Sequence, residues 1–541
     1  MKYNMKKVVM MLAFAGMGFG VFAQDATVMN GVKMYNYKKY KTAESILAPL
    51  ADKDPIANYY LGLSQLESGD LKKAQATFAK YPEDLANISG TARVAYMSND
   101  IATGNKITKE LAAKAKRKDW KPQKYAADAI AYTEGGDYTQ AVAWYKDALS
   151  KNPDDITSIR IGLGDVMRKV PGGGGEAMNN YEAVVEKDKT NSLGYSRIGD
   201  LWYDARNYQS ALENYKRAKE ADAENPLPYK ALADAYSRSG QYQNALTNIK
   251  EYLSHSDNTM DDQQDYVRAL YQAQSFCDAA TLSQKLLNSK PAPAKVIELT
   301  GILGFSQARC GDSTVALANL RKYFAMQDAK KITPGAYIEF GKLFMKLDML
   351  DSAGAYYTKG IEGDTSGDKA DAYRDVAEAF KSKKDYCKSA VWYTNLVKSG
   401  SKATANDYAW RVIAYYYCND MAGATTAAAE FAEAYPTIPQ PLYWQGRVAA
   451  AIDSEATTGG AVPYYTKWLD TVGWSSYDRK SDLKQVYSYL MYYYLNAKDS
   501  ENLKLIKEKA LEADPENKTV KDIEALEKQM GLAPKKPSGS K

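Results

Sequence analysis

The sequence predicts an all-α chain of stacked helix pairs, and three observations predict it. A small residue returns about every 34 positions: Ala43, Ala74, Ala141, Ala177, Ala211, Ala245, Ala279, Ala316, Ala353, Ser389, Ala424 and Ala461, with Leu503 closing the series. Twelve positions before many of these anchors stands another small residue (Gly31, Gly62, Ala129, Gly199, Ala233, Gly304, Gly341, Ala377), which lets two helices approach closely. Aromatic residues keep fixed offsets. Phe78, Tyr145, Tyr181, Tyr215, Tyr357, Tyr393 and Tyr465 follow an anchor by four, and Tyr125, Tyr195, Tyr229, Tyr337, Tyr373, Tyr408 and Tyr487 precede one by sixteen. Pro55, Pro153, Pro291, Pro436 and Pro515 lie beyond the second helix of a unit, where a ring that removes an N–H donor stops the helix.

This combination of small, aromatic and proline positions resembles the tetratricopeptide repeat (TPR) family, over nearly the whole chain after residue 23. The resemblance implies a right-handed superhelix, an α-solenoid, of about 14 helix-turn-helix units. Tyr195 to Ala218 and Tyr229 to Tyr252 match well, whereas 82–121 reads as a degenerate unit, because Ala74 and Ala141 are about two repeats apart. The expected organisation is a signal peptide over 1–23, the TPR solenoid over 24–530, and a disordered basic tail over 531–541 carrying Lys535, Lys536 and Lys541.

The signal peptide is read from Lys2, Lys6 and Lys7 ahead of the apolar run Val8 to Ala23, with cleavage expected after Ala23. That run is shorter than the ~20 apolar residues of a bilayer span, and no other stretch is apolar enough to cross one. An exported protein of the periplasm or outer-membrane periphery of a Gram-negative bacterium is expected, and the Ala23-Gln24 junction resembles exported proteins of the Bacteroidota. The whole chain carries a net charge of +5, part of it in the leader, so no global field favours nucleic acid as a partner.

The four cysteines fall in repeat register. Cys277 and Cys387 lie two positions before anchors Ala279 and Ser389, at the start of a second helix; Cys310 and Cys418 lie six before Ala316 and Ala424, at the end of the next first helix. In a right-handed stack those two ends share a side, so disulfides Cys277–Cys310 and Cys387–Cys418 are expected to staple neighbouring repeats.

Chemistry-bearing residues are sparse. His255 is the one histidine, with no partner that the sequence nominates for acid-base work, and no CxxC spacing marks a zinc site. The run Pro171 to Gly175 lacks the Lys-Ser/Thr of a phosphate loop. It reads as a lengthened turn, as do Thr457, Thr458, Gly459 and Gly460. No enzyme activity, cofactor or metal is expected.

In the TPR family the first helices line a concave groove where partners dock. Counting back fifteen, eleven, eight and seven positions from the later anchors, with a register correction before Ala461, gives the candidate groove Arg374, Ile413, Tyr416, Tyr417, Tyr443, Arg447, Ser488 and Tyr492. Tyrosine and arginine carry much of the binding energy at interfaces. Further toward the N-terminus, Lys230 is followed by Asp234, which opposes the carboxylate clamp of chaperone-binding relatives. A candidate basic surface (Lys106, Lys109, Lys114, Lys116, Arg117 and Lys118, continued by Lys121 and Lys124) could meet anionic envelope components. The leading expectation is a non-enzymatic scaffold or adaptor that binds a protein or peptide partner and supports an envelope complex in assembly, secretion or transport. The alternatives are an outer-membrane glycan-binding protein similar to the SusD type, which would lack that type's lipidated cysteine here, and an enzyme with an unrecognised site.

Overall fold

The structure is a computed structural model that describes residues 26–365, 369–400 and 402–532. The predicted leader lies outside the described residues, as do 533–541 of the predicted tail. Residue Leu532 packs against the core of the last helices.

Among the described residues there are helices and no strand, and in chain order they alternate as the first and second helices of fourteen repeats followed by one more helix. The first repeat is 26–36 with Tyr40–Leu47, the sixth Ser192–Asp204 with Tyr208–Ala221, and the last Lys480–Asn496 with Ser500–Ala513, before the closing helix Lys518–Gln529. The chain divides into two compact units, the first ending at Cys310 and the second beginning at Gly311. No described helix is long and apolar enough to cross a membrane.

Each pair is built as the anchors imply. Ala43, Ala74, Ala141, Ala177 and Ala211 are fully buried on their second helices. A Cβ at Gly199 would lie 2.5 Å from the Tyr215 ring and one at Gly341 2.5 Å from the Tyr357 ring, so the aromatic four places after the anchor fills the space that the missing side chain leaves. Their hydroxyls cannot be buried unbonded. Tyr145 therefore donates to Asp128 (2.6 Å), Tyr181 to Asp165 (2.7 Å) and Tyr215 to Asp200 (2.9 Å). Burial first, and then these carboxylates, push the phenol pKa values upward.

The turn inside most repeats follows one device, although Lys39, Gln241, Ser275 and Met349 stand at the cap position without a capping side-chain bond. The residue five before the anchor is left-handed: Lys38 (φ 58), Arg206 (φ 59), Lys384 (φ 60), Asn419 (φ 62) and Lys498 (φ 56), or glycine at 69, 172, 240 and 311. The next residue caps the second helix, since Asp70, Asp137, Asn207, Asp312, Asp385, Asp420 and Asp499 each accept from a first-turn N–H. That device resolves the stretch read as degenerate. Asn99 (φ 62) and the cap Asp100 join Leu85–Met97 to Ile101–Ala113, an ordinary pair whose anchor is Gly104, buried against Tyr96. The repeat was hidden because its anchor is glycine and the anchor intervals on either side are unequal.

The two lengthened turns fall after Met167 and after Ile452. In the second, Asp453 gathers the loop by accepting from the N–H groups of Thr457 (3.0 Å) and Gly459 (3.0 Å) and the hydroxyl of Tyr489 (2.6 Å). The cysteines pair as the register implies, Cys277 with Cys310 in the first unit and Cys387 with Cys418 in the second, at Cα separations of 5.4 and 5.0 Å.

Candidate binding surfaces of the two units

In the second unit, helices Ala405–Tyr417 and Gln440–Ile452 bring part of the predicted groove together. The Arg447 guanidinium donates to the hydroxyls of Tyr443 (3.2 Å) and Tyr416 (3.3 Å) and lies within 6 Å of the rings of Tyr416, Tyr443 and Trp444. Tyr443 in turn donates to Gln485 (3.2 Å). Tyr417 is 57 % exposed and meets both Tyr416 and Tyr386. The structure does not gather the rest of the predicted set. Arg374 is held by both oxygens of Asp407 (2.9 Å each) and by Asp371, as a bridge between neighbouring repeats. Against the effect of burial, Arg374 and the Thr404 cap hold the Asp407 carboxyl below its ordinary pKa. Ile413 and Ser488 are half-buried and Tyr492 is exposed, and none has a ring or polar contact with the Arg447 cluster. Trp444 belongs to it and escaped the positional count, although its place three residues before Arg447 puts both on one helix face.

The predicted basic surface is exposed at Lys106 and Lys109 on helix Ile101–Ala113 and at Lys114, Lys116, Arg117 and Lys118 in the connection that follows. Lys124 departs from it. That side chain turns inward to pair with Asp128 (2.7 Å) and to lie over the Tyr125 ring, because its helix faces the interior of the first unit.

That interior holds a cavity of about 1020 Å³. Its walls are largely first helices of successive repeats, and the first repeat contributes Tyr35 from the end of its first helix, Tyr37 and Lys38 from its turn and Tyr40 from the start of its second helix. The first repeat reaches across by long-range contacts. Tyr37 donates to Asp222, and Asp257 accepts from the Lys41 N–H (2.8 Å) and the Thr42 hydroxyl (2.5 Å). The second contact caps a helix in trans: Lys39 occupies the cap position of Tyr40–Leu47 and its side chain cannot accept, so a carboxylate 216 residues further along the chain does so.

Along the walls, most charges are neutralised between neighbouring repeats. Arg93 is 3 % exposed and paired with Glu67 (2.6 Å); Arg197 meets Asp165 (2.7 Å), Arg168 meets Asp204 (2.6 Å), and Lys230 meets Asp265 (2.8 Å). The tyrosines form a connected surface, Tyr35 touching Tyr40 and Tyr60, and Tyr60 touching Tyr59. Burial raises the Tyr60 phenol to about 12. Tyr132 is 39 % exposed and lines the cavity, and burial raises its pKa strongly. Counting back from Ala74, Ala211 and Ala245 by fifteen and eleven gives Tyr59, Leu63, Ser196, Asp200, Lys230 and Asp234, all of which line this cavity. The positional signal was therefore present in the N-terminal half. The contribution of the first turn was not, because it depends on contacts across more than 180 residues.

A left-handed turn, a capped second helix and a small anchor facing a bulky ring, repeated at about 34 residues, define a helix-turn-helix repeat protein. The chain has the tetratricopeptide-repeat fold, on the strength of its own helix pairs and anchor pattern. No protein-family profile and no curated protein matches it. It is similar to the crystal structure of the C-terminal part of a TPR repeat-containing protein from Cytophaga hutchinsonii, with 22 % identity over 48 % of this chain and 98 % of that one and a TM-score of 0.34. A tetratricopeptide repeat protein from Parabacteroides merdae is similar at 16 % identity, 45 % and 91 % coverage and a TM-score of 0.31. YrrB, described as a TPR protein with an unusual peptide-binding site, is similar at 17 % identity, 38 % and 97 % coverage and a TM-score of 0.29.

Proposed function

We propose that the chain is a non-enzymatic scaffold that holds a protein or peptide partner on surfaces built by its first helices. In this reading it is exported to the periplasm or outer-membrane periphery of a Gram-negative bacterium and supports an envelope complex in assembly, secretion or transport. The observation that carries the reading is the cavity of the first unit, large enough for several residues of a polypeptide and walled by tyrosines and mutually neutralised charges. The cluster around Arg447, with Tyr416, Tyr417 and Tyr443, is the second proposed contact, and the exposed cations from Lys106 to Lys118 offer a contact for anionic envelope components. Two disulfides support an oxidising compartment, since such bonds persist outside the cytosol.

The test is site-specific photo-crosslinking in cells, with the crosslinker placed at Tyr132, at Tyr417 and, as a control on a second helix, at the exposed Glu213. One polypeptide species crosslinked from Tyr132 or Tyr417 and absent from Glu213 is expected. Equal labelling from all three positions, or none from the first two, would sink the scaffold reading of these surfaces.

A further inference from the structure

Residues 106–118 carry six cations, Lys106, Lys109, Lys114, Lys116, Arg117 and Lys118, against one carboxylate, Glu110. All six are exposed, and none is in an ion pair among the described residues. Cations on the two neighbouring repeats behave otherwise: Lys73 pairs with Asp70, Lys80 with Asp52, Lys146 with Glu176 and Lys151 with Asp147. The next carboxylate along the chain, Asp119, accepts from the Lys121 N–H (3.2 Å). The six charges therefore add with little local neutralisation. On the second helix Ile101–Ala113 the exposed positions Ala102, Thr103, Lys106, Lys109, Glu110 and Ala113 recur at helical spacing as one stripe, which the connection from Lys114 to Lys118 continues. No residue from 101 to 120 lines the cavity.

We propose that this stripe is a peripheral docking surface for an anionic phospholipid bilayer, held by charge alone. This rests on the reading of these cations as a contact for anionic envelope components, and it commits that contact to lipid. Two features favour a bilayer over an acidic polypeptide. A protein interface is centred on aromatic and apolar side chains, and the stripe offers only Ala102, Thr103 and Ala113 between its charges. Five of the six cations are lysines, point charges on flexible stems that suit mobile headgroups at no fixed spacing, where the planar fork of arginine has no advantage. No large apolar side chain is exposed from 101 to 120, so nothing enters the hydrocarbon and attachment is reversible by salt. Near an anionic bilayer each basic residue strengthens attachment roughly fivefold, which makes six on one stripe sufficient without an apolar anchor. The cavity walls are left uncovered, because attachment uses a second helix and the connection after it.

The experiment is co-sedimentation of the purified chain from Gln24, which keeps every described residue, with vesicles of phosphatidylcholine alone and of equal parts phosphatidylcholine and phosphatidylglycerol. At low salt the mixed vesicles are expected to bind about a hundredfold more tightly, and at high salt the preference is expected to vanish. A variant with Lys114→Gln, Lys116→Gln, Arg117→Gln and Lys118→Gln, all at exposed positions, is expected to lose most of the preference while keeping its circular dichroism. The pair Lys106→Gln and Lys109→Gln, in which glutamine keeps the helix propensity, tests the same stripe separately and is expected to weaken binding as well. A control with Lys73→Gln, Lys80→Gln, Lys146→Gln and Lys151→Gln removes the same charge from paired cations and is expected to retain the preference. Equal binding of the two vesicle types overturns the proposal, and so does equal weakening by the control, which would reduce the effect to net charge. Soluble polyglutamate separates the two readings. Capture of polyglutamate through the four cations without vesicle binding removes the bilayer and keeps the anionic contact, whereas failure to hold either probe removes both.

Discussion

In the first unit many inner charges bridge one repeat to the next, as Arg197 to Asp165 and Lys230 to Asp265, while in the second, beside the Arg374 to Asp407 bridge, the inner cluster is one arginine, Arg447, among Tyr416, Tyr443 and Trp444. Both units rest on the same anchors, turns and a single disulfide each. They differ in the range of their contacts. The first repeat of the N-terminal unit is fastened to Asp222 and Asp257 across 185 and 216 residues, whereas the Arg447 cluster joins adjacent repeats. A shared repeat thus sets the scaffold, and contacts outside the repeat rule decide whether an inner face becomes a cavity or an open cluster.

The largest expected effect tests what the units share. Replacing Cys277 in the first unit or Cys387 in the second by alanine is expected to destabilise that unit by about 4 kcal/mol, from the loop-closure entropy of a loop of roughly 30 residues. Urea unfolding followed separately through each unit would check it. A loss in only one of the two variants would mean that only one staple contributes, and the symmetry claimed here would fail.

The next effect tests the long-range closure. Asp257→Ala removes the acceptor of the first-turn amides of Tyr40–Leu47 and is expected to cost about 1–2 kcal/mol locally, as other lost caps do. Hydrogen exchange at Lys41 and Thr42 should accelerate, while amides of the Arg447 helix keep their protection. Unchanged exchange at Lys41 would show that water caps that helix as well as Asp257 does.

Its counterpart in the second unit is Arg447→Lys. An ammonium group can keep the charge over the rings but cannot donate in two fixed directions to Tyr443 and Tyr416, so a loss of about 1 kcal/mol is expected in the unfolding of that unit. A native-like stability of the lysine variant would reduce the cluster to simple charge-over-ring attraction.

How much of this was legible in the sequence follows the same division. Anchors and cysteine register are short-range properties of a periodic chain, and they led to the helix pairs and to both disulfides. The repeat around Gly104 was hidden by its glycine anchor, although Asn99 and Asp100 carried the turn signal. Arg374 met the positional rule and is nevertheless bound to Asp407, because a position on a face does not say whether a neighbour already neutralises the charge. Lys38 and Tyr37 met no rule for an inner face, since the turn in which they lie enters the cavity only through contacts that no local pattern encodes.

The smallest expected effect isolates the part that is local. Arg206 in the first unit and Lys498 in the second occupy the same left-handed place in the repeat, at φ 59 and φ 56, where a Cβ crowds the backbone and glycine does not. Glycine also enlarges the freedom of the unfolded chain, so the relief of strain is partly offset and each change to glycine should stabilise by only about 0.5–1 kcal/mol. Asn419→Gly, at φ 62, should gain less, because asparagine already tolerates this conformation. Equal gains for Arg206→Gly and Lys498→Gly in calorimetry would place the turn wholly within the repeat and leave the difference between the units to their long-range contacts. A gain in one unit alone would mean that even this turn feels the closure that distinguishes the first unit from the second.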